Sequence, residues 1–382
     1  MSAPPSHKPP SDKPAPLSLT PRPGILEIEA YVGGKSKIAG RDKVMKLSSN
    51  ESALGPSPRA LEAYRKAAAD MHRYPDGHSV ALREAIGARF GFDPDRIVCG
   101  AGSDELLGLL GRAYAGPGDE VLYSEHGFLI YPIVAHSVGA TPVKAGETNL
   151  TSDVDKLLAK VTPNTRLLYI ANPNNPTGSY IPAAALARLR RELPEGVLLV
   201  IDAAYAEFVT ANDYEAGGAL VDASVDAGDN VVMTRTFSKI FAMGGMRLGW
   251  AYCPPRVADL LNRLRMPFSV SHATQAAGIA ALEDVAFFSE ARDHNETWRN
   301  WLTNELRNLG YDVRPSAANF VLVQFAGGEA QAEAADKFLT SRGIIVRQVA
   351  KYGLPDCLRI TIGLASEMRA VVAAFADFKK QA

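Results

Sequence analysis

Cysteine is scarce: the chain has 382 residues and three cysteines, Cys99, Cys253 and Cys357, none in a C-x-x-C pair. That argues against a disulfide framework or a zinc ribbon and fits a reduced, cytoplasmic setting. The seven histidines form no H-E-x-x-H or other ligand pair on one helical face, so no metal site is expected. An excess of one charge is lacking too. Lys+Arg 41 against Asp+Glu 42 leaves a formal net charge of -1, which gives no global attraction to nucleic acid or to an anionic membrane. No apolar run approaches the ~20 residues of a membrane-spanning helix, and the N-terminus has no apolar signal-peptide core. What is present is a 47% hydrophobic content, enough for a sizeable core and for two domains.

Residues 1–20 form a proline-rich arm too polar to fold by itself, and disorder is expected there. An N-terminal segment, 21–45, follows. Short apolar runs then alternate with helical patterns. Strands are expected at Arg96–Cys99, Glu120–Tyr123, Thr141–Val143, Arg166–Ile170, Val197–Ile201, Asn230–Thr234 and Leu248–Tyr252, with helices at Asp104–Tyr114 and Pro182–Leu193. That alternation predicts an α/β domain over 46–267, built on a mostly parallel sheet covered on both faces. Beyond Pro267 the texture changes to long helices, starting with His272–Leu282, and then strands at Asn319–Phe325, Ile344–Gln348 and Leu358–Ile362. A smaller α+β domain is expected over 268–382.

The residues able to do chemistry follow these strand ends, where ligands sit in doubly wound sheets. Lys239 comes after the apolar run Val231-Val232-Met233, is flanked by Thr236 and Ser238, and precedes Arg247 by eight residues. Apolar neighbours and a second cation favour a neutral, nucleophilic amine of the Schiff-base kind; a surface lysine after a strand is the plainer alternative. Gly100-Ala101-Gly102-Ser103-Asp104 opens a helix whose N–H groups could receive a phosphate, although packing alone also explains such a turn. Asn172-Pro173-Asn174-Asn175-Pro176-Thr177-Gly178 is a rigid turn that can aim Asn175. Asp202 ends a run so apolar that its carboxylate needs either a cation or a role as a helix cap. Phe128 could stack on a flat ring or simply fill the core. Tyr74 sits in an exposed polar turn.

Taken together, an acid, an aimed asparagine, an activated lysine, an arginine and a helix N-terminus match the needs of pyridoxal phosphate. A nicotinamide-dependent dehydrogenase fails on the incomplete G-x-G-x-x-E fingerprint. A ligand-sensing transcription regulator would need a basic helix-turn-helix that a twenty-residue proline-rich arm does not supply.

Asn172-Pro173-Asn174-Asn175-Pro176-Thr177-Gly178, Asp202-Ala203-Ala204-Tyr205 and Ser238-Lys239 with Gly244-Gly245-Met246-Arg247 resemble the fold-type-I PLP-dependent aminotransferases. Pro21-Arg22-Pro23-Gly24-Ile25, Lys46-Leu47-Ser48-Ser49-Asn50-Glu51, Arg73-Tyr74-Pro75-Asp76-Gly77 and Cys357-Leu358-Arg359-Ile360-Thr361 are similar to the histidinol-phosphate aminotransferase branch. The resemblance implies that Lys239 holds the cofactor aldehyde and shuttles the proton, and that Asp202 pairs with the pyridine nitrogen. It also implies that Asn175 and Tyr205 bond the phenolic oxygen, and that Phe128 stacks on the ring. Ser103, Asp104, Thr236, Ser238 and Arg247 would hold the phosphate, with Tyr74 reaching in from a partner subunit of an obligate homodimer. Arg359 would take the substrate's anionic group, with Arg347 and Asn175 nearby and Tyr31 arriving from the partner. The branch moves an amino group between a small-molecule donor and a keto acceptor, here histidinol phosphate and 2-oxoglutarate. Relatives in the branch act on phenylalanine, tyrosine or prephenate. Two segments depart from the branch pattern: Asn50-Glu51-Ser52-Ala53 replaces Asn-Glu-Asn-Pro, and Tyr31-Val32-Gly33-Gly34 replaces Tyr-Val-Pro-Gly.

Overall fold

Six largely buried apolar runs and the more exposed edge strand Thr141–Ala145 pair into one sheet. The computed structural model describes residues 19–381, so only Leu19 and Thr20 of the expected arm lie within it. The strands are β1 (Ile97–Gly100), β2 (Glu120–Ser124), β3 (Thr141–Ala145), β4 (Thr165–Ala171), β5 (Leu198–Asp202), β6 (Val231–Thr236) and β7 (Gly249–Tyr252). Their order across the sheet is β1-β7-β6-β5-β4-β2-β3, and β7 runs antiparallel to both its neighbours. The remaining pairings are parallel.

The period of two along each strand divides the core. Val98, Tyr169, Val200 and Val232 face the helices Ser103–Tyr114, Ile130–Val138 and Pro255–Leu264. Cys99, Ile170, Ile201 and Met233 face the opposite layer, which includes Val80–Phe90, Ala183–Glu192 and His272–Glu283. Each fully buried Leu, Ile or Val contributes about 1.5–3 kcal/mol, so the strands are fixed by helices on both sides.

A second sheet is antiparallel: β8 (Asp312–Arg314), β9 (Phe320–Gln324), β10 (Arg347–Val349) and β11 (Leu354–Thr361), in the order β8-β9-β11-β10. The long helix Val285–Asn308 and the helices Gly328–Ser341 and Ala365–Lys379 cover it. The strand Asp312–Arg314 is additional to those expected from the sequence, and Ile344–Gln348 is not one strand. In the structure Ile344–Ile345 pairs in parallel with Met45–Lys46, and β10 begins only at Arg347. The helix His272–Glu283, assigned from sequence to the C-terminal unit, packs against Pro58–Ala67 and Val80–Phe90 of the large layer. Its Ala277, Gly278 and Ala281 allow that close approach.

From Arg22 the chain first leans on the helix Ile130–Val138, where the Arg22 guanidinium donates to the Ser137 carbonyl at 2.9 Å. It then crosses to the small sheet through Met45–Lys46. Among the described residues, no helix is long and apolar enough to cross a membrane.

Candidate active site

The carboxyl ends of β1, β5 and β6, the turn after β4 and strand β11 converge on one cavity of about 420 Å³. Thirteen of the fourteen site residues expected from the sequence line it: Tyr31, Ser103, Asp104, Phe128, Asn175, Asp202, Tyr205, Thr236, Ser238, Lys239, Arg247, Arg347 and Arg359. Tyr74 does not. It is 84% exposed and stacks on Phe268 with ring centroids 4.8 Å apart.

Asp202, the last residue of β5, is buried. It accepts from the Tyr131 hydroxyl at 2.9 Å and from the Thr234 hydroxyl at 3.4 Å. No lysine or arginine pairs with it among the described residues. Burial raises its carboxyl from an ordinary 3.8 to about 6, with Tyr131 the main opposing influence and Asp104 adding repulsion. An acid held ionised in this position calls for a cation facing it.

The sign of that shift gives a stability test. Below pH ~4 the group is protonated in both folded and unfolded chains and contributes nothing. As pH rises from about 4 through about 6, the unfolded chain binds fewer protons than the folded one, and stability falls. The full loss, about 3 kcal/mol, holds above that window. Asp202→Asn in cofactor-free protein is therefore expected to raise the unfolding midpoint above pH 6 and to match the wild type near pH 4. Wild-type protein that is the more stable of the two at pH 8 would contradict this.

Lys239 lies in the turn after β6, half-buried, with Nζ 5.7 Å from the Tyr205 ring centroid. Among the described residues no carboxylate pairs with its amine and no acceptor takes a hydrogen bond from it. Close by is an anion cup. The helix Ser103–Tyr114 has Gly102 at its N-cap, with no side chain to satisfy the first N–H groups. Arg247 reaches Ser238 Oγ at 3.4 Å and Asp104 Oδ2 at 3.1 Å, and Thr236 Oγ1 donates to Ser238 Oγ at 2.9 Å. Two glycines permit this crowding. A Cβ on Gly102, whose φ is +86, would strike the Arg247 guanidinium, and one on Gly249 would strike the Ser103 backbone.

Arg359, on β11, is the buried cation of the cavity. It donates through Nη1 to Asn175 Oδ1 and through Nη2 to the Ser48 carbonyl at 2.9 Å, while its Nε has no partner among the described residues. Burial lowers its affinity for its proton, and no carboxylate compensates. Arg359 can only donate, so it fixes the Asn175 amide with its oxygen toward the guanidinium and its NH2 away from it.

Tyr31 borders this chain's own cavity and is about half exposed. Its segment is held by the Arg347 guanidinium, which donates to the Val32 carbonyl at 2.8 Å, and by Lys351, which pairs with Glu29 at 2.9 Å.

Two further residues belong to the site and were not singled out from sequence. Tyr131, buried and stacked on Tyr169 at 5.0 Å, holds Asp202. Asn50 donates to the Tyr205 hydroxyl at 2.8 Å. The spacing Phe128-x-x-Tyr131 after a strand end was a signal for the first. The second stands in the motif Lys46–Glu51 that carries the resemblance, but its polar loop gives no sign of its partners.

Residues 42–375 match the family model described as aminotransferase class I and II. The chain belongs to this family. The histidinol-phosphate aminotransferase of Rhodospirillum centenum is 62% identical over 360 residues, covering 94% of this chain and 98% of that protein. The enzyme of that name from Paramagnetospirillum magneticum is 61% identical over 361 residues, with 94% and 98% covered. Among solved structures, histidinol-phosphate aminotransferase from Sinorhizobium meliloti in complex with pyridoxal-5'-phosphate is similar with a TM-score of 0.83 at 31% identity, covering 89% of this chain and 92% of that one.

The cavity of this class I and II aminotransferase fits pyridoxal phosphate on its own geometry. A buried carboxylate without a cation suits the pyridine nitrogen, an uncapped helix N-terminus beside Arg247 suits the phosphate, and an unpaired lysine suits the aldehyde.

Proposed function

We propose that this chain interconverts histidinol phosphate and 2-oxoglutarate with imidazole-acetol phosphate and glutamate, as a homodimer in the cytoplasm. The observation that carries the reading is Arg359, a buried guanidinium lining the cavity with Lys239 and, among the described residues, without a carboxylate partner or a partner for its Nε. A guanidinium of this kind binds a planar carboxylate or a phosphate by the same two-point contact. One site therefore serves glutamate and a phosphorylated amino alcohol in turn. The choice of substrate rests on the relatives of that name at 62% and 61% identity.

Pyridoxal phosphate, when bound, supplies the electron sink that lets a proton leave the carbon bearing the amino group. The chain's residues do the rest. Asp202, held by Tyr131 and Thr234, keeps a proton at the ring nitrogen. Asn175 and Tyr205, which line the cavity, would supply donors to the phenolic oxygen, and Phe128 would cover one face of the ring. Lys239 takes the proton from the substrate carbon and returns it at the neighbouring position, as a general base and then a general acid. Arg359, with Arg347 beside it, orients the anionic group so that this carbon faces Lys239.

Assembly as a homodimer is supported by an apolar surface that a monomer would leave wet. Met71 is 82% exposed, Tyr74 84% and Met266 66%, with Phe268 stacked beneath Tyr74. Tyr74 would then serve the partner's phosphate site. A fully active species sedimenting as a monomer would contradict that arrangement.

Steady-state assays with histidinol phosphate, phenylalanine, tyrosine and prephenate test the substrate. The expected result is a kcat/KM for histidinol phosphate above all three others. An aromatic substrate or prephenate exceeding it by about tenfold, a difference of about 1.4 kcal/mol in transition-state binding, would remove histidinol phosphate from the account.

A further inference from the structure

Asn50 is buried in a left-handed backbone conformation, φ 55, and every polar group it carries is engaged. Its backbone N–H donates to Thr361 Oγ1 at 2.9 Å, and its carbonyl accepts from Asn319 Nδ2 at 3.0 Å. Its side-chain Oδ1 accepts from the Thr361 hydroxyl at 3.1 Å, and its Nδ2 donates to the Tyr205 hydroxyl at 2.8 Å. The direction of each bond follows from the first. A backbone N–H can only donate, so the Thr361 oxygen is an acceptor there and its hydrogen must go elsewhere. Among the described residues, the one other hydrogen-bond partner of the buried Thr361 hydroxyl is Asn50 Oδ1, which can accept it. Reversing the amide would leave that hydroxyl hydrogen buried without an acceptor, which costs the desolvation of the group.

The amide is thus locked with its NH2 toward Tyr205. The Tyr205 oxygen receives a hydrogen bond from Asn50, and its own hydrogen is directed away from Asn50, to the cavity that Tyr205 lines. We propose that Thr361 and Asn50 are positioning residues that orient the Tyr205 hydroxyl as a donor toward the phenolic oxygen of the cofactor. Thr361 lies two residues after Arg359 on β11, so one strand carries both the guanidinium that orients Asn175 and the hydroxyl that orients Asn50. Both donors aimed at the ring oxygen then take their polarity from the strand that also carries the anion-binding arginine. The inference rests on the cofactor reading above.

The test is the pH midpoint at which the visible absorbance of the cofactor-loaded protein changes, which does not depend on turnover. A donor at the ring oxygen stabilises its negative charge and weakens its hold on a neighbouring proton. Loss of the donor therefore moves the midpoint upward, by about one pH unit for a hydrogen bond to a charged oxygen. Thr361→Val, which keeps the shape and loses the hydroxyl, is expected to raise the midpoint, and Thr361→Ser is expected to titrate with the wild type. In a Tyr205→Phe background, which lacks the oriented hydroxyl, Thr361→Val should add no further shift.

A Thr361→Val midpoint equal to the wild type, or a shift of equal size in both backgrounds, overturns the inference and leaves the cofactor reading standing. Should Thr361→Val fail to fold, Asn50→Asp is measured through the same cycle. Aspartate tolerates the left-handed backbone and can only accept from Tyr205, so its upward shift should shrink when Tyr205 is Phe; an undiminished shift overturns the inference. Wild-type protein that takes up no coloured cofactor overturns the cofactor reading and this inference with it.

Discussion

Lys239→Ala is expected to lower kcat by roughly 10³- to 10⁴-fold or more, because it removes the general base and the amine that holds the aldehyde. The protein should still fold. Lys239 makes no ion pair or side-chain hydrogen bond among the described residues, and its neighbours Phe237 and Ile240 are buried independently of the amine. Cofactor affinity should fall less than turnover, since the uncapped helix at Ser103, Arg247 and Asp202 all remain. Borohydride reduction followed by peptide mass mapping gives the matching structural readout. The cofactor should be retained on the peptide containing Lys239 in the wild type and on none in the variant. A Lys239→Ala protein with undiminished transamination would overturn the mechanism.

The second large effect is expected at Arg359. Replacing it by Lys keeps a positive charge but loses the planar fork, and leaves the Asn175 oxygen and the Ser48 carbonyl with one short-reaching donor between them. Breaking a buried, hydrogen-bonded charge contact costs roughly 2–5 kcal/mol. The expected loss in kcat/KM is on the order of 10²- to 10³-fold. It should fall on glutamate and on the phosphorylated amine alike, because both use this guanidinium. A loss confined to one substrate would show that the two anions are read at different places. Cofactor absorbance measured in parallel separates a substrate effect from a disturbed Asn175.

Much of this arrangement could be read in the sequence, for a physical reason. Central strands buried on both faces read as nearly continuous apolar runs, so β1 to β7 stood out, and the rule that ligands lie beyond strand ends then gathered Ser103, Asn175, Asp202 and Lys239 without any knowledge of pairing. Sheet order was a different matter. That β7 runs antiparallel beside β1 depends on contacts between distant residues, such as Trp250 opposite Cys99, 151 positions apart, which no local pattern encodes. The helix His272–Glu283 was assigned by its place in the chain, whereas small residues such as Ala277 and Gly278 dock it on the large layer. Asn50 was hidden because its importance lies in long-range bonds to Tyr205, Thr361 and Asn319, far from it in sequence. Tyr131 was visible as an aromatic near a strand end, but its bond to Asp202 could not be read from spacing.

The central claim, amino transfer from histidinol phosphate through Lys239, is tested most directly by a half-reaction without keto acid. Cofactor-loaded protein is mixed with excess histidinol phosphate, and the visible absorbance and the released keto phosphate are followed together. Complete conversion of the colour, one keto phosphate released per protomer, and recovery of the colour on adding 2-oxoglutarate are expected. Colour that histidinol phosphate leaves unchanged, while phenylalanine or prephenate converts it fully, would contradict the account.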